Sequence, residues 1–360
     1  MVNTKGIRAF LQDSKAVSPA IATLILIVVA AVAAAAIGVM VQSSQGDAGL
    51  MLTEKSAEVE GKISTKGSTT VLPISQLAAV GFMSTNPSYQ VSVAAGGSGV
   101  GRMLVYTKAV DIGASSDPWP TTEKTQDGIK VPHRKDAIIQ EAGPDATVWE
   151  TKIATGIIVV AANINNGIVA VNVSHVDELD ASDNKINVSF ATLRTAYGTD
   201  GYLTLIGGQP VKVVQRSDPG GSEEVFAAWL YAPTDLTEGY FPTTSGAVGA
   251  QGNQGIRDYI QDTNNSLGFV DIGYTKDQVN GKDKVIAATM NGVTASKDTK
   301  GLGKAYDTAS KAVSTENKGL ARDLYYYSYG VPKGAVKQFL DYIVSPAGQA
   351  QVKAAGFFSV

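Results

Sequence analysis

The stretch Arg216–Leu230, RSDPGGSEEVFAAWL, decides how the chain is read. Val211–Gln215 just before it has the make-up of a strand. It runs into a turn holding one arginine, one aspartate, two adjacent glycines and a serine. The turn opens onto a helix that begins with Glu223 and Glu224 and puts Val225, Phe226, Trp229 and Leu230 on one face. A helix start leaves its first N–H groups without intrahelical partners and carries about half a positive charge, so it is a prepared anion site. Gly220 and Gly221 let backbone approach a ligand with no Cβ in the way. Arg216 adds a full charge in a rigid fork suited to oxyanions. Taken alone, the same residues also describe a well-capped turn with a surface arginine.

Three more turns of this design lie upstream. Lys62–Lys66 reads as a strand, followed by Gly67-Ser68-Thr69-Thr70 and a helix from Val71 or Pro73 with Ile74, Leu77, Ala78 and Phe82 on its apolar face. Tyr89–Ala95 alternates as a strand, passes through the glycine run Gly96–Gly101 and leads to a helix over Arg102–Lys108. That run matches neither a P-loop nor a dinucleotide fingerprint. A third strand, Ala109–Gly113, ends in Ala114-Ser115-Ser116-Asp117-Pro118. Strands alternating with tight turns and helices predict an α/β protein with a largely parallel, helix-flanked sheet. Ligands of such sheets sit at the carboxyl ends of the strands, where all three turns fall.

Further along, Thr151–Asn163 is a buried-strand run that carries the chain into a second lobe, and Leu267–Ile272 is a strand that carries it back. Between them Val173–Leu179, Ser189–Tyr197 and Gly252–Gln261 read as short helices. Asp323–Tyr329 reads as a strand whose tyrosines serve packing. Two helices close the chain, Gly334–Val344 and Ser345–Ala355, the second with Ser345 as N-cap, Pro346 in its first turn and Gly356 at its end.

The sequence of 360 residues has room for about two lobes. A net charge of −3 argues against a nucleic-acid partner, which needs a basic face. Absence of cysteine removes disulfides, thiolate metal sites and thiol nucleophiles, and two histidines, His133 and His175, leave little for a metal or triad site. At the N-terminus, Met1–Lys15 is mildly basic. Ala16–Val41 then runs without a charge, longer than the roughly 20 apolar residues that span a bilayer. Lys and Arg on the N-terminal side put that end in the cytoplasm and the rest outside. Asn172, Asn187 and Asn264 each begin an N-x-S triplet, consistent with export.

The four turns present the hydroxyls of Ser68, Thr69, Thr70, Ser98, Ser115, Ser116 and Ser222, glycine N–H groups, the Arg216 guanidinium, and the carboxylates of Asp117 and Asp218. That set suits a small multiply oxygenated anion and is poor for catalysis, because no general base stands beside a nucleophile. No cofactor or metal is called for. A carboxylate beside an anion becomes favourable when the ligand carries a proton: phosphate keeps one at neutral pH and donates it, and sulfate has none.

Two resemblances sharpen this. KAVSPAIATLILIVVAAVAAAA resembles the N-terminal signal-and-anchor of archaeal type IV pilin-like proteins. It implies a leader (1–15), a transmembrane anchor helix (16–42) and a linker (43–61). KGSTTVLPI, AAGGSGVGRML, VDIGASSDP, VVQRSDPGGSEEVF and FLDYIVSPAGQAQVKAAGF resemble, in the same order, the phosphate-binding proteins of phosphate ABC transporters. This second resemblance implies a type II periplasmic-binding-protein-like α/β fold of two lobes, with residues 62–158 and 274–360 in one, 159–273 in the other, and the ligand in the interlobe cleft. It implies a non-enzymatic, membrane-tethered extracytoplasmic receptor that hands inorganic phosphate to permease and ATPase subunits. Its ligand residues map onto Thr69, Thr70, Ser98, Arg216, Gly220, Gly221 and Ser222. Two departures stand out. Gly220-Gly221-Ser222 replaces the family's Ser-Gly-Thr, and GASSDP puts Ser116 where the family has its aspartate and Asp117 one later, so either residue faces the ligand. Asp218 orients Arg216. The rival readings are a receptor for sulfate, molybdate or tungstate, a pilin-like structural surface subunit, and a phosphate-ester hydrolase.

Overall fold

A computed structural model describes residues 61–164, 168–180, 184–204, 210–218, 220–231, 246–275, 285–295 and 302–360. The leader, the 16–42 anchor and nearly all of the 43–61 linker lie outside these residues. No helix among the described residues is long and apolar enough to cross a membrane.

The element that organises the molecule is a sixteen-residue strand, β4 (Val148–Asn163). Its apolar run IATGIIVVAA is buried on both faces, as its composition requires. The other main strands are β1 (Lys62–Gly67), β2 (Gln90–Ala95), β3 (Ile112–Ser115), β5 (Tyr202–Thr204), β6 (Pro210–Arg216), β7 (Ser266–Asp271) and β8 (Ala321–Tyr329). They form one ten-stranded sheet in the order β5-β6-β7-β4-β8-β3-β1-β2, with Val248–Ala250 added to β6 and Ile286–Ala287 to β4.

The first part of β4 pairs antiparallel with β8, from Val148 opposite Tyr329 to Ile157 opposite Ala321, and a bulge sits between Leu324 and Tyr325. Its last part pairs antiparallel with β7. The β1/β2, β1/β3 and β6/β7 pairs are parallel. The sheet is therefore mixed: parallel among β1, β2 and β3 and between β6 and β7, as the alternating pattern predicts, and antiparallel along the two long strands that link the wings and at the edge, where β5 pairs with β6.

Two main cores flank this junction. One gathers Ile63, Ile74, Phe82, Ile112, Leu324, Phe339 and Phe357. The other gathers Ile158, Val213, Phe226, Trp229, Ile256 and Phe269. Tyr306, Val313 and Leu320 pack in the second core, and β8 begins at Ala321 directly after them. A further cluster around Trp119, Ile138 and Tyr327 extends the first.

The helices that carry the site turns are α1 (Leu72–Thr85), α2 (Ser98–Tyr106), α3 (Gly221–Tyr231) and α4 (Gly252–Asp262). Helix α2 begins four residues before the expected Arg102, so the Gly-Ser run is its first turn. Gly97 makes that start with φ +87, and its carbonyl accepts Gly101 N–H at 3.1 Å. Glycine is a poor helix former, but a β-carbon on Gly101 would lie 2.5 Å from the Ala114 carbonyl, so only glycine lets α2 pack this close to the sheet.

The expected helix Val173–Leu179 is instead strand, bend and strand. Ala170–Ser174 joins Lys185–Ser189, Glu178–Asp180 and Thr289–Met290 in a small second sheet. The β-branched residues Val171 and Val173 and the apolar Ile186 and Val188 bury there, which outweighs the weak helical spacing.

Candidate functional site

The carboxyl ends of the strands and the starts of α1, α2 and α3 meet around Gly221. Ser68 N–H donates to the Ala114 carbonyl at 2.9 Å and Gly97 N–H to the Gly67 carbonyl at 3.0 Å, which ties the first three turns into one wall. On this wall Ser98 Oγ accepts Ser116 N–H at 3.1 Å and lies 3.1 Å from Ser116 Oγ. Both serines are buried. Ser68 Oγ accepts Thr70 N–H at 3.2 Å and so shapes the turn. Ser115 Oγ donates to the Asp117 carbonyl at 2.7 Å and receives Arg102 Nη1 at 3.0 Å, which fixes the Asp117 backbone.

The second wall is the β6–α3 turn. The first intrahelical bond of α3 runs from Glu223 N–H to the Gly220 carbonyl at 2.9 Å, so Gly221 and Ser222 supply the open first-turn amides. A β-carbon on Gly220 would lie 2.5 Å from Arg216 Cζ and Nη1; the guanidinium lies flat against this glycine. Arg216 pairs with Asp218 through Nη2 and Nε, and Nη2 also reaches Thr69 Oγ1 at 3.4 Å. Asp218 Oδ1 accepts Gly252 N–H at 2.6 Å, which anchors it at the start of α4.

The walls touch in a buried polar cluster. Thr70 Oγ1 lies 3.2 Å from Ser222 Oγ, and both hydroxyls donate to Asp271 Oδ2, at 3.0 and 2.8 Å. Asn253 Nδ2 donates to the same oxygen at 3.0 Å, and Asn253 Oδ1 accepts Asp271 N–H at 3.0 Å. Arg322 Nη2 donates to Asp271 Oδ2 at 2.8 Å and to Thr70 Oγ1 at 2.9 Å. Asp271 has no exposed surface at all.

All the sequence-predicted residues thus fall in one region: Thr69, Thr70, Ser98, Ser116, Asp117, Arg216, Gly220, Gly221 and Ser222, with Ser68, Ser115 and Asp218 behind them. Ser116 and Asp117 both face inward. A β-carbon on Gly221 would lie 2.5 Å from Ser116 Oγ, 3.0 Å from Arg322 Nη1 and 3.4 Å from Asp117 Oδ1.

Arg102, Asn253, Asp271 and Arg322 were not among the residues read from the sequence. They lie inside regular elements or at their ends, with no Gly-Ser turn to mark them. For Arg322 a signal existed: on β8 it shares the inward parity of Leu324, Tyr326 and Ser328, an unusual place for a charge.

Three buried arginines line the region, and each has its own carboxylate: Arg102 with Asp117, Arg216 with Asp218 and Arg322 with Asp271. Burial works against the Arg102 charge, but the Asp117 carboxylate outweighs it, with Glu224 adding to the effect, so its pKa is raised. Burial likewise pushes up the phenol of Tyr274, whose hydroxyl donates to the Thr69 carbonyl at 2.8 Å. Among the described residues no group of histidines and carboxylates is placed to hold a metal ion.

Comparison with known proteins gives the same fold. The Phosphate-binding protein PstS of Bacillus subtilis (strain 168) is 25% identical over 297 residues, covering 80% of this chain and 77% of the relative. A Clostridium perfringens protein solved with bound phosphate superposes with a TM-score of 0.57 at 19% identity, covering 83% of this chain and 100% of the other. An ABC-type phosphate transport receptor from Vibrio cholerae gives a TM-score of 0.52 at 17% identity, again over 83% of this chain and 100% of the other. Residues 52–347 match the PBP superfamily domain, and with its mixed sheet joining two α/β lobes the chain belongs to that superfamily.

Proposed function

We propose that this protein captures inorganic phosphate outside the cytoplasm and delivers it to an ABC importer, binding its ligand without chemical conversion. The observation that carries the reading is the convergence over Gly221. A hydroxyl and a carboxylate oxygen from the Ser116-Asp117 turn and a guanidinium N–H from β8 aim at the one position where this glycine, on a third segment, has no side chain. The anion is held by Ser98, Ser116, Thr69, Thr70 and Ser222, by the first-turn amides of α3 and by Arg216, whose Nη1 is buried without a partner among the described residues. Asp117 Oδ2 is taken by Arg102; Oδ1, reached among the described residues only by Ser115 Oγ at 3.3 Å, is the acceptor for a ligand proton. Such an acceptor favours hydrogen phosphate over sulfate, which would face it with oxygen against oxygen.

The lobes are the two cores on either side of the β4/β8 junction, and closure is a hinge about those two strands. Residues 16–42 tether the protein to the membrane after removal of residues 1–15, with 43–61 as the linker, in the manner of the pilin-like signal-and-anchor. The name of the Bacillus subtilis relative supports the phosphate assignment. Calorimetric titration of the full-length protein with phosphate, then with sulfate, tests the reading. Phosphate gives saturable heat, sulfate gives none, and Arg216→Ala lowers phosphate affinity by about tenfold to a hundredfold. Saturable heat with sulfate or molybdate alone would transfer the assignment to that oxyanion. No heat with any of them would leave a structural surface subunit.

A further inference from the structure

We propose that Arg322 is a second ligand-contacting arginine, a guanidinium on the floor of the cleft that closes on the anion from the side opposite Arg216. The inference rests on the phosphate-binding reading and adds to it a residue from the strand that joins the lobes.

Arg322 is 8% exposed, and only its Nη2 is engaged, with Asp271, Thr70 and Ser222. Its Nε and Nη1 are buried with no hydrogen-bond partner among the described residues. A guanidinium N–H removed from water without an acceptor costs more than a neutral one, so a fold keeps such donors only where something supplies oxygens. Nη1 points at the position above Gly221 on which Ser116 Oγ and Asp117 Oδ1 also converge, so the acceptor belongs in that same space.

The neighbours fix this aim. Asp271 binds Nη2 and is itself held by Asn253, which stops the guanidinium from rotating. Thr69 meets Arg216 and the next residue, Thr70, meets Arg322, so one dipeptide at the end of β1 spaces the two guanidiniums. Arg322 also stands opposite Gly156, where β4 and β8 join the two halves. A ligand bound there contacts the turns of both wings and the hinge itself.

The test uses the full-length protein, inorganic phosphate as the probe, calorimetry for affinity, and thermal unfolding with and without phosphate. Arg322→Gln is expected to weaken phosphate binding by about tenfold to a hundredfold, and Arg322→Lys, which restores the charge but not the fork, to recover part of that loss. If Arg322→Gln fails to fold because Asp271 is left buried and unpaired, the double variant Arg322→Gln/Asp271→Asn removes that charge and should show the same loss in affinity. A merely structural arginine would lower the unfolding temperature without phosphate and leave the affinity of the folded variant unchanged; that result overturns the proposal. Wild-type protein that gives no heat with phosphate overturns the functional reading itself, and Arg322's role with it. Wild-type binding retained by folded Arg322 variants overturns this inference alone.

Discussion

Gly221 is the position where helix propensity and packing pull apart. It is the first residue of α3, where alanine is the better helix former by up to about 1 kcal/mol. A methyl group there would intrude on Ser116 Oγ and Arg322 Nη1. Gly221→Ala is therefore expected to keep its helices by circular dichroism, to melt no higher than the wild type because buried Ser116 must shift, and to lose most of its affinity for phosphate in calorimetry. Asp117 offers the complementary change. Asp117→Asn turns an acceptor into a group that also donates, so phosphate binding should weaken by about tenfold while sulfate becomes a measurable competitor. Competition by sulfate against phosphate at neutral pH checks it. The sequons also divide at this scale. Asn172 is buried and its amide donates to Asn187 Oδ1 at 2.9 Å, so neither belongs to a free surface, whereas Asn264 is exposed. The turn residues could be read from the sequence because glycine, serine and threonine between a strand and a helix have few other uses. Arg322 and Asp271 could not, because their partners lie far off along the chain, Arg322 to Thr70 across 252 residues.

At the level of elements, boundaries were legible where caps are local. Ser345 Oγ accepts Gly348 N–H at 3.3 Å, Pro346 occupies the first turn, and the helix Pro346–Ala354 starts where the sequence places it. Ser345→Ala should cost about 1 kcal/mol in urea unfolding and leave ligand affinity untouched, since the cap lies far from the cleft residues. The start of α2 differs from the sequence expectation because it depends on how closely the sheet approaches Gly101, which no window of sequence reports. Val173–Leu179 departs from the expected helix because its strands are completed by Lys185–Ser189 and Thr289–Met290, and pairing with a distant segment overrides helical spacing. The parallel wings follow from alternating strands and helices. The antiparallel join between them depends on how β4 and β8 run past each other, which is a property of the whole chain.

For the whole molecule, the long central strands couple the two halves, and a ligand that touches both halves stabilises both. Phosphate at about 100 times its dissociation constant should add about 2.7 kcal/mol to the unfolding free energy, visible as a raised melting temperature that equal sulfate does not produce. The pairing of every cleft arginine with its own aspartate has a further consequence. An anion entering this site meets aimed N–H groups among closely paired opposite charges, whose combined field falls off over a short distance and leaves counter-ions little to screen. Raising sodium chloride from about 0.05 M to about 1 M, which shrinks the screening length to about 3 Å, should shift the phosphate dissociation constant by less than about threefold. A receptor built this way keeps its grip in brine as it does in fresh water.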